Sequence, residues 1–440
     1  MSNTFLLILL LIGLIVSLWA SQKFNVNAGL IAMAVAWIVG CWLGKITPTA
    51  LINYWPTSVM FIAITTTLFF GYARENGTLT LFAEKVMYLT RNIRWFPPIA
   101  IYLISFLISC AGAGAMATQI FMSTVAFAVV AQTGMNPMLA LLAVFLGGCG
   151  GGGMFWAPEG ANRIAYYTGI VSDDAVQYNV IAHSVYTAIV FTIIFFVGYI
   201  VFRGWRNKAE VLELKKPAPF NREQKITLAI IGIVVVLVVG SAILKQVYPT
   251  ALTKKLTTNF SIQFTALIGF LVCFIFKLAD TKAVMKRIPW DLILTVGGMT
   301  MMIKVGLEFG VTDMVKNVFE GGVSPIVVPF LFLLFAGFIS LFSNFTVIYP
   351  LLFPLIPVVA QATGANSVNI FAMTAFGSMI TGMSPFSTGG ACCLTGVPDE
   401  EQRSKLVPKL LIMAVCSWAI IAILSFTPLF NLFPEILTFS

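Results

Sequence analysis

Residues 129–134 read Val-Val-Ala-Gln-Thr-Gly, and residues 358–364 read Val-Val-Ala-Gln-Ala-Thr-Gly. Gly153-Met154 recurs as Gly382-Met383 at the same separation of 229. Upstream, Glu75-Asn76-Gly77 precedes an amphipathic stretch, as Glu308-Phe309-Gly310 precedes another. Any one match between apolar segments arises easily by chance. Their shared order, at separations of 229 to 233, points to an internal duplication.

The duplicated chain cannot be dressed for water. Of its 440 residues 59% are hydrophobic and 10% charged, where a soluble globular protein carries roughly 25% charged residues. Apolar runs fall near residues 4–20, 27–44, 58–73, 95–131, 137–158, 178–202, 226–244, 261–276, 290–306, 326–360, 366–396 and 409–428. A bilayer core of about 30 Å needs roughly 20 apolar residues per helix, so the expected class is an all-α polytopic membrane protein. Residues 5–19 resemble a signal-peptide core, but no basic residue precedes them and no Ala-x-Ala site follows, so a retained first span is expected. The net charge of +9 would point to nucleic acid only in a soluble chain. Here it reads as basic cytoplasmic loops, with membrane lipid and not nucleic acid as the partner. The seven cysteines lie in or beside apolar runs without metal-type spacing and read as reduced packing residues.

Runs 95–131 and 326–360 are too long for one span, and each is broken at its middle by Gly112-Ala113-Gly114-Ala115 or Ser343-Asn344-Phe345-Thr346. Each is therefore two crossings or a re-entrant hairpin. Treated as hairpins, they leave about ten transmembrane helices. The loops at 21–26, 74–94, 203–225, 277–289 and 397–409 then share one side and hold 19 of the 26 basic residues. The positive-inside rule makes that side cytoplasmic, and an extra crossing at either hairpin moves Lys277, Lys282, Lys286 and Arg287 to the wrong side. The expected organisation is a first repeat over 1–202 (hairpin 95–131, broken helix 137–170), a cytoplasmic linker over 203–225, and a second repeat over 226–440 (hairpin 326–360, broken helix 366–396). Five crossings per half is an odd number, so the halves are inverted, an arrangement common in secondary transporters.

Irregular backbone at membrane depth is costly unless it lines a cavity. Four breaks occur: the two hairpin tips, residues 147–153 (six glycines in seven positions) and residues 382–390. Half-helix N-termini there favour an anion. The oxygens of Ser343, Asn344, Thr346, Ser384 and Thr388 suit a small hard cation. The glycines of 147–153 read equally as close helix packing, whereas Ser384-Pro385-Phe386-Ser387-Thr388-Gly389-Gly390 is hard to explain that way. Glu159 and Arg163 flank the first break after 64 residues without charge. They read as an ion pair at the outer interface, or with Arg163 or Asn162 on a substrate carboxylate. His183, placed near the outer start of a span, reads as a hydrogen-bonding residue before a proton relay. Asp173, Asp174 and Asp291 read as helix caps, and Arg91 and Arg94 as headgroup anchors.

On these residues the chain resembles the ion-transporter superfamily, and within it the divalent anion/sodium symporters and the related malonate-type dicarboxylate carriers. The carrying residues are Glu75-Asn76-Gly77-Thr78-Leu79, Trp290-Asp291-Leu292-Ile293-Leu294 with Gly297-Gly298, the tip Ser343-Asn344-Phe345-Thr346 and the run from Ser384 to Gly390. The resemblance implies a scaffold with a moving transport domain, elevator-type alternating access and a homodimer. It also implies Ser-Asn-Thr tips that bind substrate carboxylates and sodium. Phe345 interrupts the second tip. The first has Gly112-Ala113-Gly114-Ala115 in its place, as in the malonate-type carriers, leaving carbonyls and Thr118. Ser384-Pro385-Phe386 stands where the symporters show Ser-Pro-Asn.

The expected function is secondary transport of a small organic dianion, a four- or three-carbon dicarboxylate, coupled to sodium in a bacterial inner membrane. Proton coupling, anion exchange and cation/proton antiport are the alternatives. Expected substrate contacts are Gly112, Gly114, Thr118, Asn162, Arg163, Ser343, Asn344, Thr346, Ser384, Pro385, Ser387 and Thr388. Expected sodium ligands are Ser343, Asn344, Ser384, Thr388 and Gly389, with no other cofactor. With one histidine and neither a His-Glu-x-x-His nor a Gly-x-Ser-x-Gly pattern, an intramembrane enzyme is not expected.

Overall fold

A computed structural model describes residues 2–24, 26–90, 93, 95–167, 171–206, 216–248, 250–288, 290–310, 322–341 and 345–433. Within these limits every apolar run is helical apart from its breaks and ends, residues 153–157 and 382–387 among them. The first half holds α1 (Asn3–Phe24), α2 (Ala28–Trp37, extended by a wider turn over Ile38–Leu43), α3 (Pro48–Asn53), α4 (Thr57–Glu75), α5 (Thr78–Thr90), α6 (Pro97–Ile108, extended over Ser109–Ala113), α7 (Ala115–Thr133), α8 (Pro137–Gly152), α9 (Pro158–Tyr167) and α10 (Asp173–Val201). The second holds α11 (Arg222–Val247), α12 (Ala251–Asn259), α13 (Ile262–Ile275), α14 (Thr281–Met285), α15 (Trp290–Glu308), α16 (Val327–Ser340), α17 (Phe345–Leu352), α18 (Ile356–Thr363), α19 (Ser367–Thr381), α20 (Thr388–Leu394) and α21 (Glu400–Leu424). Helix starts are set locally: Asn136 caps α8 with Pro137 at its first position, and Asn221 closes a reciprocal cap with Gln224 at α11. Ser172, not Asp173 or Asp174, is the N-cap of α10, which puts both aspartates in its first turn. The side chain of Asp291, and Arg91 and Arg94, lie outside the described residues.

Among the described residues five helices are long and apolar enough to cross a bilayer alone: Asn3–Ser21, Ala115–Thr133, Ala175–Val201, Arg222–Lys245 and Glu400–Leu424. The pair α12 and α13, bent by 51°, makes a sixth candidate. α6, α8, α16 and α19 are shorter because they stop at the breaks.

The segment 97–133 returns to the end where it began. A Cβ at Gly147 of α8 would touch Tyr102 and Ser105 of α6, and one at Gly151 would meet Phe106, so α6 and α8 run in the same direction. Gly148 instead lies against Ala115 and Gln119 at the start of α7, and α7 joins α8 through residues 134–136, so those two run oppositely. The hairpins open at opposite ends of α10. Near its C-terminal end Tyr199 donates to the carbonyl of Trp95, just before α6 (2.9 Å). Near its N-terminal end Tyr178 packs on Phe433, and in the same C-terminal stretch Phe426 packs on Phe330 of α16. A helix of 29 residues separates those ends by roughly 40 Å.

Three of the loops that the charge argument puts together, 74–94, 203–225 and 277–289, do meet. One Glu75 oxygen accepts from Arg287 Nε (2.9 Å) and Nη2 (2.6 Å). Asn76 Nδ2 donates to Thr227 (2.8 Å) and to the carbonyl of Leu278 (3.2 Å), while Gln224 donates to the Asn76 carbonyl (3.1 Å). The stretch Glu75-Asn76-Gly77 is thus a joint between halves. α2 lies along α15 in the same direction, Gly29 against Leu294 and Gly40 against Val305, so the loop 21–26 opens at the end where 277–289 finishes. α1, α2, α3 and α15 share one small apolar core, including Leu6, Ala32, Met299 and Val305. A larger core gathers the hairpins and the broken helices.

Candidate functional site

The two broken helices repeat much of their backbone bonding at a separation of 230. The loop before each carries Gly134 (φ 64°) or Gly364 (φ 69°), each donating to the carbonyl four residues back. Thr133 and Thr363 cap the same turn, and Asn136 and Asn366 start the next helix. At the breaks, Met154 donates to Gly151 and Ala157 to Met154, as Ser384 donates to Thr381 and Ser387 to Ser384. Behind them, Ser109 donates to the Gly148 carbonyl and Ser340 to the Ser378 carbonyl, each at 2.6 Å. Gly160 and Gly390 complete the match: a Cβ at Gly160 would collide with the Met154 carbonyl, and one at Gly390 with the carbonyls of Met383 and Ser384. The separation of 229 read from Gly153-Met154 is therefore one short, because hydrogen bonding pairs Met154 with Ser384.

The first hairpin turns through Gly112 (φ 107°) and Gly114 (φ 76°), conformations that a side chain resists. Phe70 of α4 packs on Gly112. Beyond the turn, the Ala115 amide opens α7 and donates to Glu159 Oε1 at 2.6 Å. That carboxylate stabilises the positive helix end and ties tip to broken helix. Its other oxygen lies over Gly152 beside the Ser109 hydroxyl, where a Cβ would collide. Thr118 is 1% exposed, and its hydroxyl has no partner among the described residues.

Arg163 is 1% exposed. Its Nη1 donates to the Gly153 carbonyl (3.0 Å), shared with Ser184 (3.0 Å), and its Nη2 to the sulfur of Met379 on α19 (3.1 Å). Nε has no partner among the described residues, and none of their carboxylates pairs with it. The ion pair with Glu159 that the spacing allows does not form. Arg163 instead bridges the first break to the helix leading into the second. His183 lies well inside α10 and is buried, not at an outer edge. Its Nδ1 is 3.4 Å from the Tyr167 hydroxyl, and Tyr167 packs tilted on Phe353 and edge-on to Phe371 of the second half.

The second break has no ionisable carboxylate or base. Ser384 is fully buried and accepts from the Phe386 amide (3.2 Å). Ser387 is buried, while Phe386 is 59% exposed and Thr388 is exposed. Gly389 faces Phe145 of α8, and Gly396 faces Ser123 of α7, so this break leans on the first hairpin. Gly112, Gly114 and Thr118 thus lie on the first tip, which Glu159 ties to the helix that carries Arg163, while Ser384, Pro385, Ser387, Thr388 and Gly389 lie together on the second break. Ser343, Asn344 and the side chains of Thr346 and Asn162 lie outside the described residues. The sequence reading missed the contact of Glu159 with the first tip. Its signal was available, since Glu159 is the first charge after a 64-residue uncharged stretch that contains the tip.

Two family profiles divide the chain between them. "Dicarboxylate carrier protein MatC N-terminus" matches residues 1–152, and "Sodium:sulfate symporter transmembrane region" matches residues 179–430, more than half of the chain. The chain belongs to the sodium:sulfate symporter family. No curated protein sequence matches it. Among solved structures it is similar in fold to the crystal structure of the Alcanivorax borkumensis YdaH transporter, described as having an unusual topology. The TM-score is 0.58 at 14% identity, over 91% of this chain and 97% of that one. The protein is a multi-pass membrane carrier of the divalent anion/sodium symporter type, and not an enzyme.

Proposed function

We propose that the protein carries small organic dianions, four- or three-carbon dicarboxylates, across a bacterial inner membrane together with sodium, by an elevator movement of a homodimer. The observation that carries the reading is Arg163, a buried guanidinium held by a carbonyl and a thioether and paired with no described carboxylate. A buried cation with no carboxylate within bonding distance is costly, and a substrate carboxylate would supply one. The profile name at residues 1–152 agrees with that class of substrate.

Together with Arg163, the proposed substrate contacts are Gly112, Gly114, Thr118, Asn162, Ser343, Asn344, Thr346, Ser384, Pro385, Ser387 and Thr388. Ser343, Asn344, Ser384, Thr388 and Gly389 hold the sodium ion. The hydroxyls of the second break are hard oxygen donors of the kind sodium takes. The division into inverted repeats 1–202 and 226–440 about a cytoplasmic linker is supported by hairpins that open at opposite ends of α10 and by the bonds repeated at 230. The separate small core of α1, α2, α3 and α15 supports a scaffold against which the larger part moves.

Uptake of labelled malonate, succinate, tartrate and sulfate into proteoliposomes, with and without a sodium gradient, tests the proposal. Concentrative uptake of one or more of the three dicarboxylates only with sodium is expected. Sodium-independent uptake overturns the coupling, and absence of any anion uptake overturns the substrate class.

A further inference from the structure

We propose that Glu159 carries a coupling proton, so that the first half moves a proton where the second half moves a sodium ion. The inference rests on the transport reading above. The first tip offers no side-chain triplet of oxygens, and its Thr118 hydroxyl is the one polar side chain of the turn. In place of a triplet, the Glu159 carboxylate reaches the tip and accepts from the Ala115 amide (2.6 Å). Its second oxygen, Oε2, has no partner among the described residues and faces Gly152 and the Ser109 hydroxyl. Glu159 is half-buried, with one oxygen engaged and the other shielded from solvent without a described partner, which leaves a place for one proton. When Glu159 is ionised, the carboxylate and the Ala115 amide hold tip to broken helix through a charge-assisted bond, about twice as strong as a neutral one. When a proton binds Oε2, that bond weakens and the tip is released. No covalent step is involved: the proton enters from one face of the membrane and leaves to the other.

The ionisable surroundings are compatible with this role. Arg163 lies one turn further along α9, Cys149 of α8 lies within electrostatic range of the carboxylate while its sulfur accepts from Gln119 (3.3 Å), and Cys110 sits at the tip. His183 and Tyr167 stand beyond Arg163. α4 presents Phe70 to the tip, with Arg74 and Glu75 a turn beyond it and Glu75 held by Arg287. A dianion bound at Arg163 would raise the local negative charge and favour the proton, which couples the two without direct contact.

Two measurements on Glu159→Gln test the assignment. In proteoliposomes an inward proton gradient should increase net succinate accumulation by the wild type at fixed sodium. The variant should lose that increase, at least about tenfold, while its succinate/succinate exchange stays within about threefold of wild type. Independently of any substrate, hydrogen exchange of the tip peptide over residues 110–118 in the purified full-length protein should show protection that falls on acidification in the wild type and is flat with pH in the variant. A variant that keeps proton-driven accumulation overturns the proposal, and so does one that loses exchange as well while remaining monodisperse, since Glu159 would then only shape the tip. Absence of transport in the wild type with a pH-dependent tip would refute the substrate reading alone. A pH-independent tip in the wild type overturns the role of Glu159 whatever is transported.

Discussion

The first and second breaks share one backbone and divide the chemistry. Turn for turn, Met154 and Ala157 repeat as Ser384 and Ser387, and Gly160 repeats as Gly390 against the same carbonyls. Around the first lie a carboxylate and a guanidinium, Glu159 and Arg163. Around the second lie hydroxyls, Ser384, Ser387 and Thr388. A duplicated scaffold fixes where helix ends point, because hydrogen-bonding geometry dictates it, but leaves free the side chains that project from them. The difference teaches that one half can read an anion with a fixed charge while the other offers neutral oxygens to a cation.

The sharpest way to break this contrast is at Arg163. Arg163→Ala should lower dicarboxylate uptake by roughly 100-fold, as expected for a charge-assisted pair worth about 3 kcal/mol. Arg163→Lys should recover part of it, because an ammonium keeps the charge and loses the planar fork. A melting curve of each variant separates lost binding from lost folding.

Next comes the second break. Ser384→Ala combined with Thr388→Ala removes two hydroxyl oxygens, each worth about 0.5–1.5 kcal/mol. The sodium concentration for half-maximal uptake should rise roughly tenfold while maximal uptake at saturating sodium persists. A loss of dicarboxylate affinity at saturating sodium as large as that of Arg163→Ala would erase the division of labour.

Third, Gly160→Ala and Gly390→Ala probe the common backbone. Each Cβ would be pushed into a carbonyl, a strain of about 1–3 kcal/mol, and the two should lower the melting temperature by similar amounts. A loss confined to one of them would show that the breaks are built differently. The smallest effect is expected at the joint between halves. Glu75→Gln weakens a partly exposed pair with Arg287, worth at most about 1 kcal/mol, and should shift melting by at most about 2 °C with uptake unchanged.

Much of this was legible in the chain. Hydropathy places the long helices because lipid and core both demand apolar residues, and the glycines at the first tip and the first break mark where helices stop, whereas the short α3, α12 and α14 fall outside the apolar runs. Basic residues assign the loops to one end, and the Glu75–Arg287 contact brings two of those loops together. What could not be read was which charged groups meet. A spacing of four residues allows Glu159 and Arg163 to pair along a helix, yet each finds a nearer partner across the fold, the Ala115 amide and the Gly153 carbonyl. His183 looked peripheral by its distance from the start of an apolar run, but α10 begins earlier, at Asp173, and carries it inward. The exact repeat separation was hidden because Ala362 is inserted beside the matching Val-Val-Ala-Gln stretch, and only the hydrogen bonds reveal the register of 230.

The most direct test runs three proteins side by side in proteoliposomes: wild type, Arg163→Ala and the Ser384→Ala/Thr388→Ala pair, measuring labelled succinate and malonate uptake across a range of sodium gradients. The wild type should accumulate at least one of the two dicarboxylates in a sodium-dependent manner. The Arg163 variant should fail at every sodium concentration, and the paired hydroxyl variant should recover as sodium is raised. Uptake that survives Arg163→Ala, or a hydroxyl variant that no amount of sodium restores, would contradict the assignment of the anion to the first break and the cation to the second.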